Sequence, residues 1–199
     1  MNWLKPLTAC LVLAGCATQW STDYAAPLDA DVTRSWRVTG VDVLVPDELT
    51  VSDENRLAPG ADIVWHGDAP GDRREQVSAI LADGIAKGAE GLGGDRPVKL
   101  EVVLNSFHGV TPITMVKAPS AVYNIRYTIQ AVDADTGAAV TEPATTDADL
   151  EANVGAALIN SSLNGVDEKT RIREHLAAVT AGWLGTGPDP RGTFGSVGR

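Results

Sequence analysis

Cysteine is nearly missing from this chain of 199 residues, which holds only Cys10 and Cys16. Aromatic residues are scarce at 5%, so the core must be filled mainly by Val, Ile, Leu and Ala. The apolar share of 44% is ample for one domain. Basic side chains are outnumbered, 16 Lys and Arg against 26 Asp and Glu, for a net charge of −10. A chain so acidic is repelled by phosphate backbones, which argues against nucleic-acid binding. Anionic lipid repels it too, so membrane attachment needs a covalent anchor rather than a basic patch. No stretch approaches the roughly 18 apolar residues of a transmembrane helix. Also missing are an internal repeat, a Gly-x-Ser-x-Gly nucleophile elbow and the glycine fingerprints of P-loop or dinucleotide sites.

The chain does have a recognisable beginning, "MNWLKPLTACLVLAGC". Lys5 supplies a short basic start, residues 6–15 form an apolar run, and the small residues Ala14 and Gly15 precede Cys16. Ten helical residues reach roughly 15 Å, half of a roughly 30 Å hydrocarbon core, so residues 1–15 read as a signal peptide and not a span. Leu13-Ala14-Gly15-Cys16 resembles the bacterial lipobox. The resemblance implies a diacylglyceryl group on the Cys16 thiol, cleavage immediately before it, and acylation of the new amine. Stable anchoring needs more than one acyl chain, which such processing supplies. Cys10 is then discarded, and no thiol remains for a disulfide or a zinc site. Ala17 stands where inner-membrane retention typically uses Asp, which points to an outer-membrane lipoprotein facing the periplasm.

Residues 16–35 lack a sustained period and read as a lipidated tether, with Trp20 and Tyr24 docked on the domain or placed at the membrane interface. Residues 36–185 read as a single α+β domain. "WRVTGVDVLV" at 36–45 alternates with a change of phase at Gly40, the pattern of a strand with a bulge. Short strands are expected near Thr50 and at 63–65. Asp72 and Glu75 form a capping box ahead of Val77, Ile80, Leu81, Ile85, Ala89 and Leu92, which share one helical face. Residues 97–108 and 122–132 alternate as strands, and "DADTG" turns the second into a returning strand at "AAV". Residues 142–153 are acidic and expected as a loop. A short helix is expected over "VGAALINSSL". A stronger one runs through Ile172, Leu176, Val179 and Trp183. The expected fold is a two-layer α+β sandwich, a mainly antiparallel sheet with two amphipathic helices on one face. Residues 186–199, rich in glycine, read as a flexible tail.

Chemistry is sparse. His66, Asp68 and Asp72 lie close in "WHGDAPGD", but Asp68 and Gly71 suit a turn and Asp72 a helix cap better than a metal site. His175 falls off the apolar face of its helix and is expected to be solvated. Trp65, His66, Arg73 and Arg74 combine an aromatic with basic groups, the composition of a binding hot spot, and form the candidate interaction surface. No catalytic residue, metal ligand or cofactor is assigned.

"ADIVWHGDAPGDRREQV", "SFHGVTP", "VDADTG" and "AAVTAGWLGTGPDPR" together resemble an alphaproteobacterial lipoprotein family known only as a domain of unknown function. The element order is more loosely similar to auxiliary lipoproteins of envelope lipid-transport systems, a likeness of fold from which function does not follow. The expected role is a non-catalytic accessory module, anchored through Cys16 and bound to a protein partner in an envelope assembly or transport complex. One alternative is a carrier holding a lipid or other apolar ligand between sheet and helices. Another is an enzyme of unfamiliar type, in which His66 or His108 would meet carboxylates in a cleft.

Overall fold

A computed structural model describes residues 19–196; the expected signal peptide 1–15 and Cys16 lie outside them. In chain order the elements are β1 (Gln19–Tyr24), α1 (Ala30–Thr33), β2 (Trp36–Leu44), β3 (Val51–Ser52), β4 (Ile63–Val64), α2 (Arg73–Ala89) and β5 (Arg96–His108). There follow α3 (Pro112–Lys117), β6 (Val122–Asp133), β7 (Ala144–Ala148), β8 (Leu150–Glu151), α4 (Ala156–Leu163), α5 (Glu168–Trp183) and β9 (Gly192–Gly195). The fold is mixed α+β, and its sheet is mostly antiparallel.

The long antiparallel pair β5–β6 is the centre of the sheet. Val98, Leu100, Val102 and Leu104 are buried on one face, while Glu101, Val103 and Asn105 are exposed on the other. Tyr123, Ile125, Tyr127 and Ile129 continue the buried face across β6. On its other edge β5 takes two parallel neighbours in succession, β2 along its first half and β4 at Phe107 and His108. These parallel pairings depart from a simple antiparallel meander. The bulge expected at Gly40 is present, as a register shift between Val38 and Gly40.

α2 begins where Asp72 accepts hydrogen bonds from the backbone N–H of Arg74 and Glu75, satisfying two of the free donors of the first turn. Its buried residues include Val77, Ile80, Leu81 and Ile85; those of α5 include Ile172, Leu176, Val179 and Trp183. All join one core cluster with the buried residues of β5 and β6. Gly84 and Gly88 of α2 let α5 approach closely. A Cβ at Gly84 would lie 2.7 Å from the Leu176 Cβ, and one at Gly88 would lie 2.4 Å from the Ala177 carbonyl oxygen.

Four stretches differ from expectation. Gln19–Tyr24, placed in the tether, is a sheet strand between β7 and β9. It alternates Trp20, Thr22 and Tyr24 inward, and Asp149 accepts from the Ser21 N–H at 3.1 Å. The acidic stretch 142–153 contains β7, whose inward residues Ala144, Thr146 and Ala148 are too small to register as an apolar face. The turn after β6 does bring Ala139 back onto Val132, but only as an isolated bridge. The glycine-rich end is tied down over Gly192–Gly195 by β1.

Replacing Gly88 with Ala forces a methyl group against the α5 backbone. Overpacking of this kind removes about 1–3 kcal/mol of stability, read from the urea unfolding midpoint. Gly91→Ala, with no atom near the added Cβ, should leave the midpoint unchanged.

Candidate functional site

The corner between β4 and α2 carries all four candidate surface residues. Trp65 is 1% exposed and packs edge-on against Phe107, with ring centroids 5.7 Å apart, and beside Tyr123. Gly67 lies over its ring so closely that a Cβ would sit 2.3 Å away. The indole N–H donates to Asp68 at 2.8 Å, and the Lys169 ammonium on α5 binds both oxygens of Asp68 at 2.7 and 2.9 Å. Arg73 is buried, its Nε on Asp53 at 2.7 Å and its Nη1 on Gln76 at 2.7 Å and the Ala69 carbonyl at 3.2 Å. Arg74 donates to the carbonyl oxygens of Pro46, Asp47 and Leu49, which fastens the segment after β2 to the start of α2.

The structure thus brings the four residues to one corner and gives them unequal roles. Trp65 and Arg73 hold the corner together from inside, and Arg74 clamps a loop. His66 is half-buried, and its Nε2 has no hydrogen-bond partner among the described residues. Burial lowers its pKa, and the Arg73 charge lowers it further. His108 is buried in the neighbouring wall, its Nε2 within 2.8 Å of the Pro59 carbonyl oxygen. Among the described residues no three His, Cys, Asp or Glu side chains gather to hold a metal ion.

A second polar constellation lies across β1, where the sequence shows no motif. Ser21, Thr22, Asp23, Asp189, Arg191, Gly192 and Thr193 line an open cleft of about 460 Å³. The Tyr24 hydroxyl donates to Asp189 at 2.9 Å, and the Arg191 guanidinium sits 5.0 Å from the Tyr24 ring centre. Burial, with Asp189 adding to it, pushes the Tyr24 pKa up to about 12. Hydrogen bonds from Arg191 hold the Asp189 carboxyl far below its usual range. The guanidinium is therefore already committed to a carboxylate.

Behind the cleft the Thr22 hydroxyl lies 3.2 Å from both the Asp149 carbonyl oxygen and His175 Nε2. A hydroxyl has one proton. Donated to the carbonyl, it leaves His175 as the donor through Nε2, a tautomer that cannot take the Thr22 proton as a base would. His175 is half-buried rather than solvated as expected, because residues 19–24 form a sheet strand whose Thr22 meets its ring and not a tether. Burial lowers its pKa. Asp149 is buried, bonded to Ser21 and to Asn124 Nδ2 at 2.7 Å, and desolvation raises its pKa despite those partners. The alternation of Trp20, Thr22 and Tyr24 was the available signal for this region.

The Asp68–Lys169 pair links the two halves of the corner. Burial pushes the Asp68 pKa up, but the hydrogen bonds from Lys169 and Trp65 and the Lys169 charge outweigh it, so the net shift is downward from 3.8. A carboxyl with a depressed folded-state pKa contributes stability above its unfolded value and loses it as pH falls through the folded value. Lys169→Met should lower stability by about 1–3 kcal/mol at neutral pH. The gap to the parent should narrow as pH drops below 3.8. Urea midpoints taken at neutral and acid pH check this, and a gap independent of pH would assign Lys169 a packing role only.

Among solved structures, the chain is similar to a candidate lipoprotein from Caulobacter crescentus CB15, at 16% identity over 74% of this chain and 85% of that one, with a TM-score of 0.33. It is also similar to a PelC dodecamer from Paraburkholderia phytofirmans, at 14% identity over 80% of this chain and 98% of that one, again with a TM-score of 0.33. No curated protein matches. A family model covers residues 36–199, from β2 through α5 and β9, and the chain belongs to that family, the family of unknown function DUF6778.

Proposed function

We propose that this protein is a lipid-anchored accessory module of the cell envelope, held on the periplasmic side of the outer membrane by acyl chains on Cys16. Its domain would serve a protein partner in an assembly or transport complex, with no reaction and no cofactor assigned to it. The observation that carries the reading is the position of the lipobox-like Leu13-Ala14-Gly15-Cys16, whose cysteine stands three positions before the first sheet strand begins at Gln19. The helix pair α2–α5 and the sheet are taken as the two layers of one sandwich. The Trp65–Arg74 corner is taken as its rigid edge, with His66 the member able to meet a partner.

Cys16→Ala should move the protein from the membrane fraction to the soluble fraction of lysed cells. Retention on the membrane at the parental level overturns the anchor. Crosslinking in intact envelopes should shift the chain into a discrete larger species; a clean monomer counts against the accessory role.

One observation favours a second reading, a carrier of an apolar ligand. Between β2 and the end of α2 lies a groove of about 280 Å³ lined by Val38, Val41, Ala86, Ala89 and Leu92 with Thr39, Gly40 and Glu90. That is close to the lower end of ligand pockets, about 300 Å³. Ala86→Trp fills it, so binding of an apolar naphthalene dye should fall at least tenfold if the groove is the site. Unchanged dye binding removes this reading.

A further inference from the structure

Among the described residues the three most exposed large apolar side chains lie on two neighbouring helices, while Val32, Leu44, Val51 and Val103 are exposed less strongly on other elements. Val116 on α3 is 77% exposed, and Ile159 and Leu163 on α4 are 62% and 80% exposed. Leu57 and Val166 stand exposed in the adjoining loops. α4 has no buried residue and no side-chain cap. Eight residues are too few to hold a helix in water on propensity alone, so an uncovered α4 lacks the packing that usually sustains one. The whole segment 152–166 has no charged residue, in a chain where 21% of residues are charged.

A chain of contacts joins this end to the start of β1. Gln19 pairs with Gly195, and the Ser196 hydroxyl bonds Ser120, three residues past the end of α3, at 3.0 Å. The Ala152 N–H donates to the Ala121 carbonyl at 2.9 Å, and the Gly155 N–H to the Met115 carbonyl at 3.1 Å. The apolar end is therefore the end at which the described chain begins. From Gln19 back to Cys16 is three residues, a reach of at most roughly 11 Å fully extended. Acyl chains on Cys16 would hold this end within reach of the headgroups.

We infer that α3 and α4 form a membrane-contacting foot, with Val116, Ile159 and Leu163 seated in the headgroup–acyl boundary of a bilayer. The inference rests on the anchored reading above. The occupant is a lipid surface because anchor reach and exposed apolar residues coincide there, and because the segment adds no charge. The domain as a whole repels anionic lipid, and the uncharged segment 152–166 is the part able to approach. Lys117, exposed beside Val116, has the stem length to lay its methylenes on apolar surface and its ammonium on a lipid phosphate. An interfacial helix seated roughly 5–10 Å deep is compatible with that reach.

The test uses the mature protein purified from membranes, with Leu163→Cys or, at the far end of β6, Asp135→Cys, each carrying a small fluorophore. Mass analysis of the N-terminal peptide reports separately whether Cys16 is acylated. The proteins are reconstituted in phosphatidylcholine vesicles, plain or brominated on the acyl chains. The residue-163 dye should be quenched at least twofold by the brominated lipid, and the residue-135 dye should not be. Acylated protein whose residue-163 dye is quenched no more than the residue-135 dye overturns the foot and leaves the anchor intact. A dye at 163 that is shielded but unquenched means protein covers the patch, and overturns it equally. A Cys16 found without lipid removes the basis of both.

Discussion

The close approach of α2 and α5 at Gly84 and Gly88 governs the arrangement of this molecule. Side chains at those two positions would collide with Leu176 and with the α5 backbone. Without them the helices sit near enough for Ile80, Leu81 and Ile85 to share one cluster with Ile172, Leu176 and Val179 and with the buried face of β5 and β6. Once α5 is placed, both of its ends become attachment points. At its start Lys169 reaches across to Asp68. At its finish the Trp183 carbonyl accepts the Leu28 N–H at 2.7 Å, and the Leu184 carbonyl accepts the Thr33 hydroxyl at 2.8 Å. The segment between β1 and β2 is thereby fastened to the helix pair as well as to the sheet.

That fastening changes what the N-terminal region is. A flexible leash would decouple the domain from any anchor. β1 instead has partners on both edges, β7 and β9, and its inward residues Trp20, Thr22 and Tyr24 are buried. Asp149 ties it from behind through Ser21, at the cost of holding a carboxyl in a desolvated place. β1 is consequently an integral strand of the sheet.

Elements filled by large apolar residues were legible in the sequence. β5, β6, α2 and α5 declare themselves because Val, Ile, Leu and Tyr recur with the period of a strand or a helix. β7 did not, since Ala, Thr and Asp carry little hydrophobic contrast even when they alternate correctly. β1 did not, since a threonine sits at the centre of its inward face. The candidate corner was half legible. Composition singled out Trp65, His66, Arg73 and Arg74, but composition is silent on whether an arginine faces solvent or is consumed by Asp53 and Gln76. The cleft beside Tyr24 depends on pairing between residues more than 120 positions apart, a distance at which local pattern conveys nothing.

Acidity and attachment pull against each other in a protein of this composition. A net charge of −10 keeps the domain soluble and away from anionic surfaces, yet a lipid on Cys16 would draw it against one. The fold offers a physical way to satisfy both. Charge is withheld from the segment 152–166, while the opposite end of β6 turns over through Asp133 and Asp135. Along the strand direction an uncharged segment thus stands at one end of β6 and a turn with two carboxylates at the other.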